Sequence, residues 1–426
     1  MSTSSPSVLE AAARDWIVAQ IGARENYAVP RALHRAGRLR CFYTDAWCRW
    51  GRSVLKRGPQ LVRGFANRFH PELPYDHVVS FTGTAIPNIL RRHWHREMGS
   101  RTDLGDHHIE VGRQFAVNVR DHLGDGLDAG DAFLGFSIGS YEVLDALRGN
   151  GVLTVVDQVA PGPIEQTIVA EEAERWPGWI RNVPPPRPRL QERAAAEWEA
   201  ASLVLVNSEW SRDALVDQGV PEEKIIVVAC AYEPPTDLNA QPPNANTEGP
   251  LRVLWLGSVI LRKGIPYLVK AARELADRNI EVTVAGPLGI TDEAVRRAPD
   301  NVTFVGRVPR DRTSALYRAA DVFVFPTLSD GFGITQLEAM AHGCPVITTP
   351  NCGRVVTDGE DGRVIPVRSS EALAEVLASL DDERARVAEM GRAALETAQN
   401  YTLDAYARCF LKAVQTTDEA PDSPER

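Results

Sequence analysis

Short runs of β-branched and aromatic residues alternate along this chain with longer stretches whose apolar residues recur every three or four positions. A period near two giving way to a period near 3.6, again and again, predicts parallel strands joined by crossover helices. In the first half the pattern predicts strands at Trp16–Ile21, Leu39–Tyr43, His77–Phe81, Ala132–Phe136, Leu153–Asp157, Leu203–Asn207 and Ile225–Ala229. Helices such as Tyr141–Arg148 and Glu209–Gln218 lie between them. The stretch EPPTDLNAQPPNANTEGP, residues 233–250, has no apolar periodicity and reads as an interdomain linker. The rhythm then restarts. It predicts strands at Arg252–Leu256, Glu281–Ala285, Val302–Val305, Val322–Phe325 and Pro345–Thr348, with helices at Pro266–Asp277, Thr313–Ala320 and Thr335–His342. Three further helical stretches end at Leu403–Val414, and the polar, acidic tail 416–426 is expected to be disordered. The fold class that follows is α/β, with two doubly wound parallel-sheet domains of the Rossmann-like kind. One spans residues 1–235 and the other 250–400. In open sheets of this kind ligands bind outside the carboxyl ends of the strands. The chemistry is therefore expected on loops that follow strands, where the two halves face a central cleft.

Composition narrows the function. A chain of 426 residues, 44% hydrophobic and 24% charged, suits two soluble globular domains. The formal charge of −10 argues against a general nucleic-acid binder. No apolar run approaches the roughly 18 residues of a membrane span, and the first residues lack the basic start and apolar core of a secretory signal. Six cysteines without a CxxC pair argue against a zinc ribbon or disulfide framework. The expectation is a reduced, cytoplasmic protein.

The stretch VFVFPTLSDGFGITQLEAMAHGCPVITTPNCG, residues 322–353, carries the most chemistry. A buried strand ends at Pro326, a loop holding Gly331 and Gly333 follows, and a helix starts near Ile334–Thr335. Glycines there let backbone approach a ligand, and the free N–H groups of the new helix suit a phosphate. Glu338, early in that helix, can accept two hydrogen bonds from a ribose diol. Upstream, Gly257 lets the chain turn after a strand, and Arg262 and Lys263 offer cations to a diphosphate.

The string Asp330-Gly331-Phe332-Gly333, then Ile334 to Leu337, then Glu338-Ala339-Met340-Ala341-His342-Gly343-Cys344-Pro345-Val346 resembles the donor-binding signature of the family-4 retaining glycosyltransferases. This is the glycogen-synthase-like group with the GT-B fold, whose usual first acid is Glu where this chain has Asp330. The resemblance extends over residues 254–271, where Ser258 replaces the family's usual Arg. It also covers 282–289 with Gly286, 301–321 with Arg307 and Val308 near the base edge, and 358–377; from residue 197 to about 415 it is firm, and earlier only architectural. It implies a GT-B enzyme that moves a hexosyl group from a nucleotide-diphosphate sugar, most often a UDP-sugar, to an acceptor hydroxyl with retention. It implies no obligatory cofactor or metal, and a terminal helix at about 401–415 that crosses back to the first domain. Lys263, Arg262 and Asp330 would be catalytic. Gly257, Ser258, Lys263, Gly286, Arg307, Val308, Gly331, Phe332, Gly333, Ile334, Thr335 and Glu338 would line the donor site.

On the acceptor side, Arg24, Glu25, Asn26 and Tyr27 follow the first predicted strand, and Asp157 and Gln158 end another, so both groups are expected to border the cleft. Asp157 serves equally well as a plain strand end or helix cap. Residues 31–70 hold nine Arg and one Lys against the single acid Asp45. That run reads either as a solvated helical face or as a patch for a phosphorylated acceptor or an anionic membrane surface, which would place the protein peripherally at the inner face of a membrane. His93, His95, His107, His108 and Glu110 match no metal-ligand spacing. Two other functions fit the same pattern: an epimerase of sugar nucleotides, and a catalytically silent sugar-nucleotide binder.

Overall fold

The computed structural model describes residues 14–55, 57–58, 60–85, 104–124, 126–128, 130–234 and 249–418. The linker at 235–248, the tail at 419–426, His93, His95 and Lys56 lie outside the described residues.

Two parallel sheets account for every named strand. The first has seven, β1 (Asp15–Gln20), β2 (Leu39–Thr44), β3 (Val78–Ser80), β4 (Asp131–Phe136), β5 (Leu153–Asp157), β6 (Leu203–Val206) and β7 (Ile225–Val227), in the order β3-β2-β1-β4-β5-β6-β7. The second has six, β8 (Leu251–Leu256), β9 (Ile280–Ala285), β10 (Val302–Gly306), β11 (Val322–Phe325), β12 (Val346–Thr348) and β13 (Gly362–Val364), in the order β10-β9-β8-β11-β12-β13. The strand at Gly362–Val364 has no counterpart in the sequence reading, because three residues on a sheet edge are too few to show a period.

Strands β4, β5, β6 and β11 are buried along their whole length, as expected where helices cover both faces of a parallel sheet. Each sheet reverses its strand order at one place: between β1 and β4 in the first, and between β8 and β11 in the second. Loops leaving those pairs diverge to opposite faces and leave a crevice.

The chain passes between lobes twice. The stretch after β7 leads into the linker, and Tyr232 N donates to Tyr401 O at 2.7 Å where the return begins. The terminal helix Leu403–Asp418 then packs in the first lobe's core, where Phe410 meets Trp16 edge to face with ring centres 4.7 Å apart. Leu403, Tyr406, Ala407, Phe410 and Val414 are buried there, so the last helix of the chain belongs energetically to the first lobe.

Candidate functional site

Lys263 enters the cleft on a tight turn. After β8 the chain forms a 3-10 turn at Leu261–Lys263 and closes it on Gly264, at φ 74°. A Cβ on Gly264 would lie 1.8 Å from Pro326 O, so only glycine lets this turn seat against the end of β11. Leu328 N and Thr327 Oγ1 donate to Arg262 O at 2.8 and 3.3 Å, which ties the turn to the loop after β11.

That second loop brings Asp330 onto Lys263, and the carboxylate and ammonium are in direct contact. Burial and the neighbouring Arg262 guanidinium push the Lys263 ammonium down, to about 7, and Glu165 opposes them. The Asp330 carboxylate is the counter-ion that touches this ammonium. Gly331 follows. A Cβ there would lie 2.0 Å from Val159 O of the first lobe, so the loop touches the opposite wall of the cleft. Phe332 is buried, and the short helix Thr335–Ala341 begins with the Thr335 hydroxyl buried and without a hydrogen-bond partner among the described residues.

Glu338 accepts from Tyr317 OH at 2.8 Å. Burial raises its carboxyl, while the Tyr317 hydrogen bond and Arg310 lower it. Tyr317 is itself stacked on His342, with ring centres 5.0 Å apart, so the carboxylate is held from below. Gly257 and Gly286 end neighbouring strands in mutual contact, with a Cβ on Gly286 falling 1.6 Å from Gly257 O. Ser258 and Arg307 are exposed, and Val308 and Ile334 are half-buried.

On the first lobe, Gly22 N and Arg68 Nη1 both donate to Asp45 Oδ1 at 2.9 Å, fixing the loop after β1. Glu25, Asn26 and Tyr27 then take left-handed backbone angles in succession, with φ of 46°, 54° and 62°. Arg24, Glu25 and Asn26 are exposed, but Tyr27 is not. Its ring is fully buried against Phe42 and Trp47, so the expectation that Tyr27 borders the cleft is corrected: helix Ala28–Arg35 needs an apolar anchor at its start.

Asp157 is buried at the end of β5. Its carboxyl is pushed up to about 8 by burial, with Glu25 adding and Arg24 opposing. Glu25 accepts from the Cys230 thiol at 3.6 Å, and its carboxyl is also raised by burial, with Cys230 and Arg24 opposing. Gln158 accepts from Trp198 Nε1 at 3.0 Å and donates to Ala160 O at 2.8 Å.

A cavity of about 920 Å³ opens on this side. Apolar groups such as Ile21, Phe81, Phe136 and Leu190 line it, together with Arg24, Arg68 and Gln158. Among the described residues of the second lobe, Ile260 and Arg262 alone reach it, so it stands beside the Lys263–Asp330 pair and not around it.

Four of the nine arginines at 31–70 are paired with acids. Arg31 and Arg35 share Glu72 and Glu233, Arg40 holds Asp131, and Arg68 holds Asp45. Arg49 lies over the Tyr75 ring and Arg52 over Phe69, at 3.7 and 4.3 Å. Among the described residues, no helix is long and apolar enough to cross a membrane.

Sequence reasoning missed several cleft residues. Glu165, from the first lobe, reaches Arg262 Nη1 at 2.8 Å, and Trp210 Nε1 donates to Ser329 Oγ at 3.0 Å across the lobes. The one available signal for Glu165 was its place just after Pro161-Gly162-Pro163, a rigid turn on a loop that leaves a central strand. Tyr317 and Trp210 gave none.

Residues 250–382 match the family described as Glycosyl transferases group 1. A D-inositol 3-phosphate glycosyltransferase of Kribbella flavida is 31% identical over 268 residues, 56% of this chain and 62% of the relative. A phosphatidyl-myo-inositol mannosyltransferase of Mycolicibacterium smegmatis is 29% identical over 221 residues, 50% of this chain and 55% of the relative. The matched stretches thus span between half and two thirds of these relatives' own length. Among solved structures, sucrose-phosphate synthase from Thermosynechococcus elongatus superposes with a TM-score of 0.61 at 18% identity, covering 95% of this chain and 98% of that one. An Anabaena protein solved in complex with UDP does so at 0.58 and 14% identity, covering 95% and 100%.

Proposed function

We propose, from the match of residues 250–382 to the family described as Glycosyl transferases group 1 and from the GT-B fold, that the chain transfers a hexosyl group from a nucleotide-diphosphate sugar to an acceptor hydroxyl. The observation that carries this reading is the meeting of Lys263 and Asp330. They come from the loops after β8 and β11, the two strands between which the second sheet reverses its order.

In the reaction the bond between the sugar's anomeric carbon and the diphosphate oxygen breaks, and negative charge grows on the diphosphate. Lys263 stands where it can take that charge, with the backbone of Gly331–Thr335 beside it and Arg262 as a further donor. Asp330 is Lys263's resting partner. When a diphosphate takes the ammonium, Asp330 is released to accept from sugar hydroxyls. Glu338, steadied by Tyr317, is placed to accept from the ribose diol, and Arg307-Val308 to meet the base. The acceptor occupies the first-lobe cavity, and its hydroxyl oxygen bonds to the anomeric carbon from the face the diphosphate leaves. The departing phosphate oxygen takes its proton, so configuration is retained without an enzymic nucleophile.

A UDP-sugar is the first donor to try, as the family resemblance implies. D-inositol 3-phosphate is the first acceptor suggested by the names of the curated relatives. The apolar wall of Ile21, Phe81, Phe136 and Leu190 adds acceptors with an apolar portion to the screen. The test is nucleotide release from UDP-, GDP- and ADP-sugars, with and without acceptors, with the product's anomeric configuration read by NMR. Slow donor hydrolysis that acceptor accelerates is expected. Interconversion of donor sugars without acceptor would instead mark an epimerase, and binding without turnover a silent binder.

A further inference from the structure

Helix Ile164–Arg175 is built from first-lobe sequence, yet one of its faces is spent on the second lobe. Glu165 and Glu172 are seven residues apart, two helical turns, and so lie on the same face with Ile168 between them. Glu165 Oε1 holds Arg262 Nη1 at 2.8 Å and accepts from Ser329 Oγ at 3.4 Å. Glu172 is fully buried, and accepts from Tyr267 OH at 2.8 Å and from Arg368 Nε at 2.7 Å. Arg262, Ser329, Tyr267 and Arg368 all belong to the second lobe.

Ile164, Ile168 and Trp176 close an apolar cluster with Tyr267, Leu328 and Val367 of that lobe. Beyond the helix the same segment stays on the second lobe. Thr291 donates to Gly178 O at 2.7 Å through its hydroxyl and to Trp179 O at 2.9 Å through its N–H, and the Trp179 ring packs on the second core.

Two features mark this as more than packing. A carboxylate with no solvent exposure is tolerable only while it is paired. Both hydrogen-bond donors to Glu172, Arg368 Nε and Tyr267 OH, come from the other lobe, so those bonds exist only when the lobes are together; from its own helix Arg175 stands farther off, at 3.8 Å. Arg368 in turn holds a left-handed backbone angle, φ 66°, that an arginine adopts at a cost the pair must offset. The second feature is where the helix begins. Glu165 grips Arg262, the residue before Lys263, and Arg262 is tied through Ser329 O at 2.6 Å to the loop that carries Asp330.

We propose that helix Ile164–Arg175 is an interlobe clamp in which Glu172 and Arg368 lock the lobes together and Glu165 thereby positions the Arg262–Lys263 turn for the donor. Glu172, Arg368 and Glu165 are positioning residues, and the role of Lys263 that they serve is the one proposed above.

Because Glu172 is buried, Glu172→Ala risks misfolding. The test therefore uses Arg368→Ala, at a half-exposed position, with Glu172→Gln beside it. Spin labels at Asp217 and Asp277, in a chain whose Cys409 is replaced, report the distance between lobes without any substrate. In Arg368→Ala that distance is expected to broaden and lengthen relative to the unaltered arginine, with the melting temperature little changed. The donor KM is expected to rise about tenfold while kcat falls less, and Arg368→Lys, which keeps the charge, is expected to restore part of the loss. Distance distributions that stay the same in Arg368→Ala and Glu172→Gln would overturn the clamp. A wider distance with unchanged donor KM would overturn its positioning role. The distance is measured with no donor, so a failure of the transferase reading itself, seen as no turnover in the unaltered chain, is told apart from a failure of the clamp.

Discussion

Replacing Lys263 by Ala tests the site most directly. The side chain is 13% exposed and its Asp330 partner 19%, so water screens their charges poorly. At an effective dielectric of about 20, two unit charges 4 Å apart interact by about 4 kcal/mol. Loss of one preorganised charge contact to a transition state costs about 2.7–4 kcal/mol, roughly a hundredfold to a thousandfold in rate. The substitution also leaves the Asp330 carboxylate facing the diphosphate without its counter-ion, which adds to the loss. Lys263→Ala is therefore expected to cut kcat by about a hundredfold or more. Asp330→Asn, which removes the competing anion but keeps the shape, should spare the ammonium's contact with the diphosphate. The assay is nucleotide release under saturating donor, with thermal melting as the check on folding. A folded Lys263→Ala protein with kcat within threefold of the unaltered chain would refute the mechanism, which rests on the Lys263 ammonium taking the growing charge.

Glu338→Ala should weaken binding of the free nucleotide diphosphate by at least about tenfold, the scale of one hydrogen bond to a charged group, and calorimetry showing equal affinity would reject the ribose assignment. Gly264→Ala should cost on the order of 2–4 kcal/mol and displace Lys263, since the new Cβ must take a left-handed angle and push against Pro326 O; an unshifted denaturation midpoint would count against the tight-turn account. Asp157 titrates at about 8 in the fold against 3.8 ordinarily, so between about pH 4 and 8 the folded chain keeps a proton that the unfolded chain has lost. Its contribution therefore makes stability fall as pH rises through that window, and Asp157→Asn should flatten the fall and melt higher at pH 8. Parallel pH–melting curves for the two proteins would show that burial does not govern this carboxyl.

The sequence by itself determined the two-sheet architecture. Alternation of short apolar runs with amphipathic stretches is a local property, and parallel sheets with crossover helices are its compact solution. It also located the loop from Asp330 to Glu338 and the Arg262–Lys263 pair, because a strand, a glycine-bearing turn and a helix start lie close together in the chain. Tertiary structure alone decided what those residues face. Tyr27 follows a strand as a cleft residue would, but helix docking turns it into the core. Arg31, Arg35 and Arg40 look like part of one basic surface until folding brings Glu72, Asp131 and Glu233 to them. Glu172 and Arg368 are 196 positions apart and carry no motif; their pairing depends on how one lobe is set against the other, and no periodicity or spacing encodes that.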